Sequence, residues 1–287
     1  MKKFELIPFT SADELARAAA SAWLDEIESA NRVGKPHYVA LSGGRIAQKF
    51  FTSVAEQAKA QKIGDGDTPS LPANVHFFWA DERCVPPDDK ESNFRLANEL
   101  LFAPLKTPEN QIHRIRGELP PGKAAELATT EMQRIVPAAL PSPSPPSTEE
   151  RAGVRRPTLS NSNPLAPALS PLGRGERVDF QPVLDLIFLG MGEDGHVASL
   201  FPNASVAIIN SAKPFLAVEN SPKSPLKRIS MSYAIIAAAK QVWVLTSGAD
   251  KEAALQESLG QNGRTPLAQV IRSRSRTKIF ADFQISN

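Results

Sequence analysis

Three short stretches of the chain combine glycine, charge and histidine in ways that can do chemistry. In Gly190-Met191-Gly192-Glu193-Asp194-Gly195-His196 a carboxylate stands two residues before an imidazole. A histidine with an ordinary pKa of about 6.5 can take a proton from water at neutral pH, so His196, oriented by Asp194, is a general-base candidate. Trp79-Ala80-Asp81-Glu82-Arg83-Cys84, followed by Ser92-Asn93, sets carboxylates and a guanidinium together, with Asp81 and Arg83 as the candidates for chemistry. The bland alternative for that stretch is a solvated loop with one salt bridge. Leu41-Ser42-Gly43-Gly44-Arg45 offers paired glycines whose backbone N–H groups can approach an anion, and a planar cation beside them.

Other readings of these residues carry less weight. Gly190, Gly192 and Gly195 satisfy G-x-G-x-x-G, and Glu219 could serve as a ribose-binding acid. Pro202 follows too soon for the usual binding helix, and a histidine occupies the loop, so no dinucleotide is expected. Cys84, the single cysteine, has no clear base beside it and reads as a small packed residue. His37, His76 and His113 lack metal-ligand spacing, so neither a metal nor another cofactor is expected.

The elements that must position these stretches follow from periodicity. Apolar residues at helical spacing mark Asp13 to Ala30, Ile46 to Lys59, Asn93 to Phe102 and Lys251 to Leu259. Short apolar runs predict strands at His37–Leu41, Val75–Ala80, Leu184–Leu189, Phe215–Val218, Arg228–Met231, Gln241–Leu245 and Lys278–Phe283. Strands that are apolar throughout, not alternating, suit a parallel sheet covered on both faces. The expectation is an α/β fold in which the three stretches lie where buried strands end, the place such sheets bind ligands.

Composition bounds the rest. The chain has 287 residues, 41% of them hydrophobic, and 33 basic against 31 acidic side chains, which disfavours a disordered chain or a polycationic nucleic-acid binder. The cluster Arg272-Ser273-Arg274-Ser275-Arg276-Thr277-Lys278 therefore reads as a solvated edge before the last strand, not as a nucleic-acid patch. No apolar run approaches the roughly 18 residues of a membrane span, and the amino terminus has no secretory h-region, so a cytoplasmic protein away from membranes is expected. Residues 137–179 hold nine of the 25 prolines and no aromatic residue. They read as a disordered surface insertion interrupting one domain of 244 residues.

Five segments in order, ALSGGR, WADERCVPPDDKESN, LGMGEDGHVASLFP, ENSPKSPLKRIS and VWVLTSGADK, resemble the 6-phosphogluconolactonase family. The resemblance implies a Rossmann-like sandwich with a mostly parallel central sheet flanked by helices, shared with glucosamine-6-phosphate deaminases. It implies hydrolysis of 6-phospho-D-glucono-1,5-lactone to 6-phosphogluconate, a step of the oxidative pentose phosphate pathway. His196 would be the base and Asp194 its partner, with Arg83, held by Asp81, stabilising the oxyanion or binding ring hydroxyls. Ser42, Gly43, Gly44, Arg45, Asn93, Gly192, Lys223 and Arg228 would bind substrate, the phosphate falling to Lys223 and Arg228 with Arg45 or Ser42. GGRIA departs from the Ser-Thr-Pro continuation of many members, and Ser224-Pro225 replaces a common double proline. DGHVASLFP resembles the lactonases, whereas deaminases tend to carry an asparagine and a glutamate after the histidine. A deaminase or isomerase, or a non-catalytic phosphosugar-binding regulator, are the competing readings, and the oligomeric state stays open, a monomer included.

Overall fold

A computed structural model describes residues 3–61, 70–138 and 181–283. Six parallel strands form the central sheet: β1 (Phe4–Pro8), β2 (His37–Leu41), β3 (Val75–Trp79), β5 (Leu186–Gly190), β8 (Gln241–Thr246) and β9 (Thr277–Ala281). Their order is β1-β9-β8-β5-β2-β3, so β8 and β5 form the central pair and β2 lies inside the β3 edge, as their largely apolar character requires. A second sheet, antiparallel and three-stranded, joins β4 (Asp81–Arg83), β7 (Arg228–Met231) and β6 (Phe215–Val218) in the order β4-β7-β6. The sequence predicted the last two strands but not their separate sheet.

Ala80 is the joint between the sheets. Its N–H donates to Leu41 in the central sheet, and its carbonyl accepts from Met231 N–H in the second. The chain thus leaves β3 and enters β4 with one residue between them, and everything on β4 hangs over the C-terminal ends of β2 and β5.

Helix α1 (Ala12–Arg32) starts at Ser11, whose hydroxyl accepts from Glu14 N–H, while Glu14 reaches back to Thr10, a reciprocal capping arrangement. It buries Leu15, Ala19, Trp23 and Ile27 at helical spacing. Trp23 meets Phe188 of β5 at 5.2 Å and Phe77 of β3 at 6.3 Å between ring centroids. Helix α2 (Arg45–Ala60) brings Phe50 to 4.6 Å from Phe188, so both helices seal the same face. Each such aromatic, fully buried, contributes about 1.5–3 kcal/mol over exposure.

The remaining helices are α3 (Asn93–Ala97), continued as a π turn over Asn98–Phe102, α4 (Pro121–Ile135), α5 (Val206–Ile209), α6 (Tyr233–Ala238), α7 (Glu252–Leu259) and α8 (Pro266–Arg272). Lys251, expected to open α7, instead closes a 3-10 turn before it. The basic cluster is less solvated than its charge suggests. Arg274 is buried and donates to the carbonyls of Ile236, Ala237 and Lys240, sealing the end of α6, while Arg276 pairs with Glu5 and Lys278 lies over Trp243.

The proline- and serine-rich stretch lies outside the described residues except for Pro137 and Ala138. Pro137 accepts from Val183 N–H and Ala138 bridges Pro182, so the two flanks meet. Among the described residues no helix is long and apolar enough to cross a membrane.

Candidate active site

The C-terminal ends of β2 and β5 and the start of β4 enclose a cavity of about 120 Å³. Ser42, Gly43, Gly44, Arg45, Asp81, Arg83, Asn93, Gly192, His196 and Arg228, all singled out from the sequence, line it, and Lys251 joins them.

After β5 the chain folds tightly on itself. Gly192 N–H donates to His196 O, and Gly195 N–H to Gly192 O. The imidazole lies directly on Gly192: a Cβ there would sit 2.0 Å from His196 Cε1 and 2.1 Å from Nδ1. Only glycine leaves room for the ring. His196 Nδ1 meets Asp194 Oδ1 at 2.5 Å. With Asp194 ionised, that contact requires Nδ1 to carry the proton, which leaves Nε2 as the nitrogen with a free lone pair. Burial pushes the Asp194 carboxyl up, but the hydrogen bond and charge of His196 outweigh it and hold the group below its ordinary value.

Strand β4 carries the next layer. Glu82, buried, accepts from Ser92 Oγ and from the N–H groups of Arg83, Asn93 and Phe94. Burial raises its pKa against the pull of those bonds. It thereby ties the start of α3 to β4 and points Asn93 inward. The Asn93 amide covers Gly43, where an added Cβ would lie 1.9 Å from Oδ1.

Asp81 does not hold Arg83, contrary to the expectation. Its Oδ2 accepts from Ser199 Oγ at 2.7 Å and its carbonyl from Asn93 Nδ2 at 2.9 Å. Arg83 is held instead by Glu91, through the carbonyl at 2.5 Å and the carboxylate at 3.7 Å. Its Nε is buried with no protein partner among the described residues. Arg83 and Arg228 are directly opposed in the β4–β7 ladder. Like charges in such register repel, so the two guanidinium groups concentrate positive charge on this side of the cavity. Arg228 also donates to the carbonyls of Lys223, Ser224 and Pro225 and lies 5.6 Å from the centroid of Phe201, whose ring is 4.7 Å from that of His196.

A second cationic group stands at the start of α2. Gly44, with φ 105, enters the helix without a side-chain cap, leaving its first N–H groups available. Arg45 lies beside it, bonded to Asp250 at 2.8 Å. Lys251 is more enclosed: burial lowers its pKa first, and the Arg45 charge adds to that. Lys251 was missed from the sequence, although it follows strand β8 as the other three stretches follow β2, β3 and β5. Lys223 is not among the residues lining the cavity; it is exposed, and its backbone carbonyl accepts from Arg228. Ser42 Oγ donates to Phe188 O, so its hydroxyl fastens β2 to β5. Cys84 is half-buried, and burial pushes its thiol up to about 11, which suits packing and not nucleophilic attack.

A larger cavity, about 800 Å³, opens between α3 and α4. Its one histidine is engaged on both ring nitrogens, by Glu131 and by His76, so it offers no free base. Among the described residues no group of three His, Cys, Asp or Glu side chains is arranged to hold a metal ion.

Residues 10–280 match the family described as glucosamine-6-phosphate isomerases/6-phosphogluconolactonase. A 6-phosphogluconolactonase of Haemophilus influenzae is 28% identical over 256 residues, covering 88% of this chain and 87% of its own. The solved 6-phosphogluconolactonase of Trypanosoma brucei superposes with a TM-score of 0.73 at 21% identity, covering 98% of this chain and 97% of that one. A monomeric glucosamine-6-phosphate deaminase superposes with a TM-score of 0.66 at 16% identity, covering 98% and 97%. At such identities the likeness is one of fold, and the fold serves both chemistries.

Proposed function

The chain belongs to the family of glucosamine-6-phosphate isomerases and 6-phosphogluconolactonases, and we propose that it hydrolyses 6-phospho-D-glucono-1,5-lactone to 6-phosphogluconate. The observation that carries this reading is the His196–Asp194 pair on a cavity lined by two separate groups of cations, Arg83 with Arg228 and Arg45 with Lys251. The substrate carries a permanent phosphate, and hydrolysis develops a second negative charge at the lactone carbonyl. Two cationic groups match that pattern.

In the reaction, His196 Nε2 takes a proton from water as the water oxygen attacks the carbonyl carbon. Asp194, fixed on Nδ1, holds the tautomer and stabilises the imidazolium. The oxyanion forms beside Arg83, whose free Nε can donate to it, and Arg228 adds charge. Collapse breaks the ring C–O bond, and the imidazolium returns its proton to the leaving ring oxygen. The phosphate lies against Lys251, Arg45 and the free N–H groups of α2, with Asn93 and Asp81 available to the ring hydroxyls. Here Arg228 serves the carbonyl end, not the phosphate as the sequence suggested. A lactone is an activated ester, so the reading involves no cofactor. A general base contributes roughly 10²- to 10⁴-fold and one oxyanion donor about 10²- to 10³-fold.

The experiment measures acid release from freshly generated lactone above its spontaneous opening, beside ammonium release from glucosamine 6-phosphate. Acceleration of the first alone supports the reading. Ammonium release favours the deaminase, and tight phosphosugar binding without turnover favours the regulator.

A further inference from the structure

Arg45, the first residue of α2, lines the cavity, and in this structure its guanidinium is already engaged. It is bonded to Asp250 Oδ2 at 2.8 Å, joining the start of α2 to the 3-10 turn that carries Lys251, which lines the cavity as well. The Asp250 carboxylate lies over Gly248, where an added Cβ would fall 2.4 Å from Oδ1, so the carboxylate has a formed seat at the end of β8. Both partners reach solvent, with side chains 75% and 39% exposed. A pair that open is weak and exchangeable.

We propose that Asp250 is a specificity-determining residue that occupies Arg45 in place of the substrate phosphate and yields it only to a ligand bringing more charge than a single carboxylate. The proposal rests on the reading that the Arg45 and Lys251 group receives a phosphate. A phosphate dianion offers Arg45 more charge and more acceptor oxygens than one carboxylate, so it displaces Asp250. An uncharged sugar or lactone cannot, and meets a closed ion pair. Asp250 therefore weakens every phosphorylated ligand a little and removes the advantage that a free guanidinium would give to incidental anions such as carboxylates.

The test is calorimetric titration of wild type, Asp250→Asn, Arg45→Gln and the double variant with 6-phosphogluconate and with inorganic phosphate, each variant first checked for an unchanged melting temperature. Removing the competing carboxylate is expected to tighten both ligands about two- to five-fold, the upper part of the range that loss of one exposed ion pair corresponds to. In the Arg45→Gln background, Asp250→Asn is expected to change binding by less than about two-fold, because the guanidinium it competes for is gone. Weaker or unchanged binding in Asp250→Asn overturns the proposal and makes Asp250 a support for Arg45 or a bystander. Equal tightening with and without Arg45 also overturns it and assigns the effect to the field at Lys251. Binding of 6-phosphogluconate to wild type does not depend on turnover, so the phosphosugar reading stands if wild type binds while Asp250→Asn changes nothing. It falls, and the proposal with it, if no variant binds either ligand.

Discussion

Replacing Gly192 by alanine puts one methyl group where the structure has the His196 ring. The new Cβ would sit 2.0 Å from Cε1 and 2.1 Å from Nδ1, and 2.8 Å from Asp194 Oδ1. Ordinary carbon contacts begin at about 3.5 Å, so the ring has to withdraw by roughly 1–1.5 Å. Nδ1 and Asp194 Oδ1 are 2.5 Å apart, and the same methyl crowds both. A withdrawal of that size misaims Nε2 and loosens the contact that fixes the tautomer. A misplacement of about 1 Å can cost about 10²-fold, and full loss of a general base about 10²- to 10⁴-fold. The expected result is a fall in kcat of at least about 10²-fold with KM changed less than about threefold, since both cation groups are untouched. The assay is stopped-flow acid release from the phosphorylated lactone, on a variant whose circular dichroism and melting curve match wild type. A well-folded Gly192→Ala protein with kcat within threefold of wild type would refute the claim that the glycine exists to seat the base.

Asp194→Asn leaves the imidazole in place but removes the negative charge that holds the proton on Nδ1 and stabilises the imidazolium, and its amide N–H can donate to Nδ1 and so favour the wrong tautomer; kcat is expected to fall by about 10²- to 10⁴-fold, and an unchanged kcat makes Asp194 a bystander. Glu82→Gln turns an amide toward N–H groups that need an acceptor, and is expected to destabilise the fold by about 3 kcal/mol in urea denaturation; a loss below about 0.5 kcal/mol would show that the tie between β4 and α3 is not needed. His37 and His113 are held neutral by burial, which lowers both below the usual value. The unfolded chain then binds protons first, so their contribution is intact above pH of about 6.5 and is lost as pH falls through that value toward the lowered native ones, each at up to about 1.4 kcal/mol per pH unit. Melting temperature is expected to drop between about pH 7 and 5.5, and a flat profile contradicts the assignment. We also propose that the 137–179 stretch is dispensable: because Pro137 and Val183 are hydrogen-bonded across its base, deleting 141–174 is expected to leave melting temperature and activity within error, and loss of both would overturn that view.

The central strands and the three chemical stretches were legible because buried parallel strands are apolar throughout and ligand loops sit where they end. Edge strand β1, FELIP, carries a glutamate and a proline and is only half-buried, so its pattern is indistinct. Helix α4 was passed over beside the proline-rich stretch although Pro120-Pro121 marks its start. The partners of the site residues were hidden for a different reason. Ser199 meets Asp81 across 118 positions and Asp250 meets Arg45 across 205. No local pattern announces such pairs, and only the topology that sets β8, β5 and β2 side by side and starts β4 one residue beyond β3 creates them. Lys251 alone had a usable signal, a strand end followed by glycine, the same signal that located His196.

The most direct measurement is the rate of 6-phosphogluconolactone opening with wild type and His196→Ala side by side, on lactone generated in the cell to limit spontaneous hydrolysis. The account predicts strong acceleration by wild type and a rate close to background for the variant, with 6-phosphogluconate affinity retained in both. Equal rates for the two proteins would contradict it, either by removing His196 as the base or, at background level, by removing the lactonase reading itself.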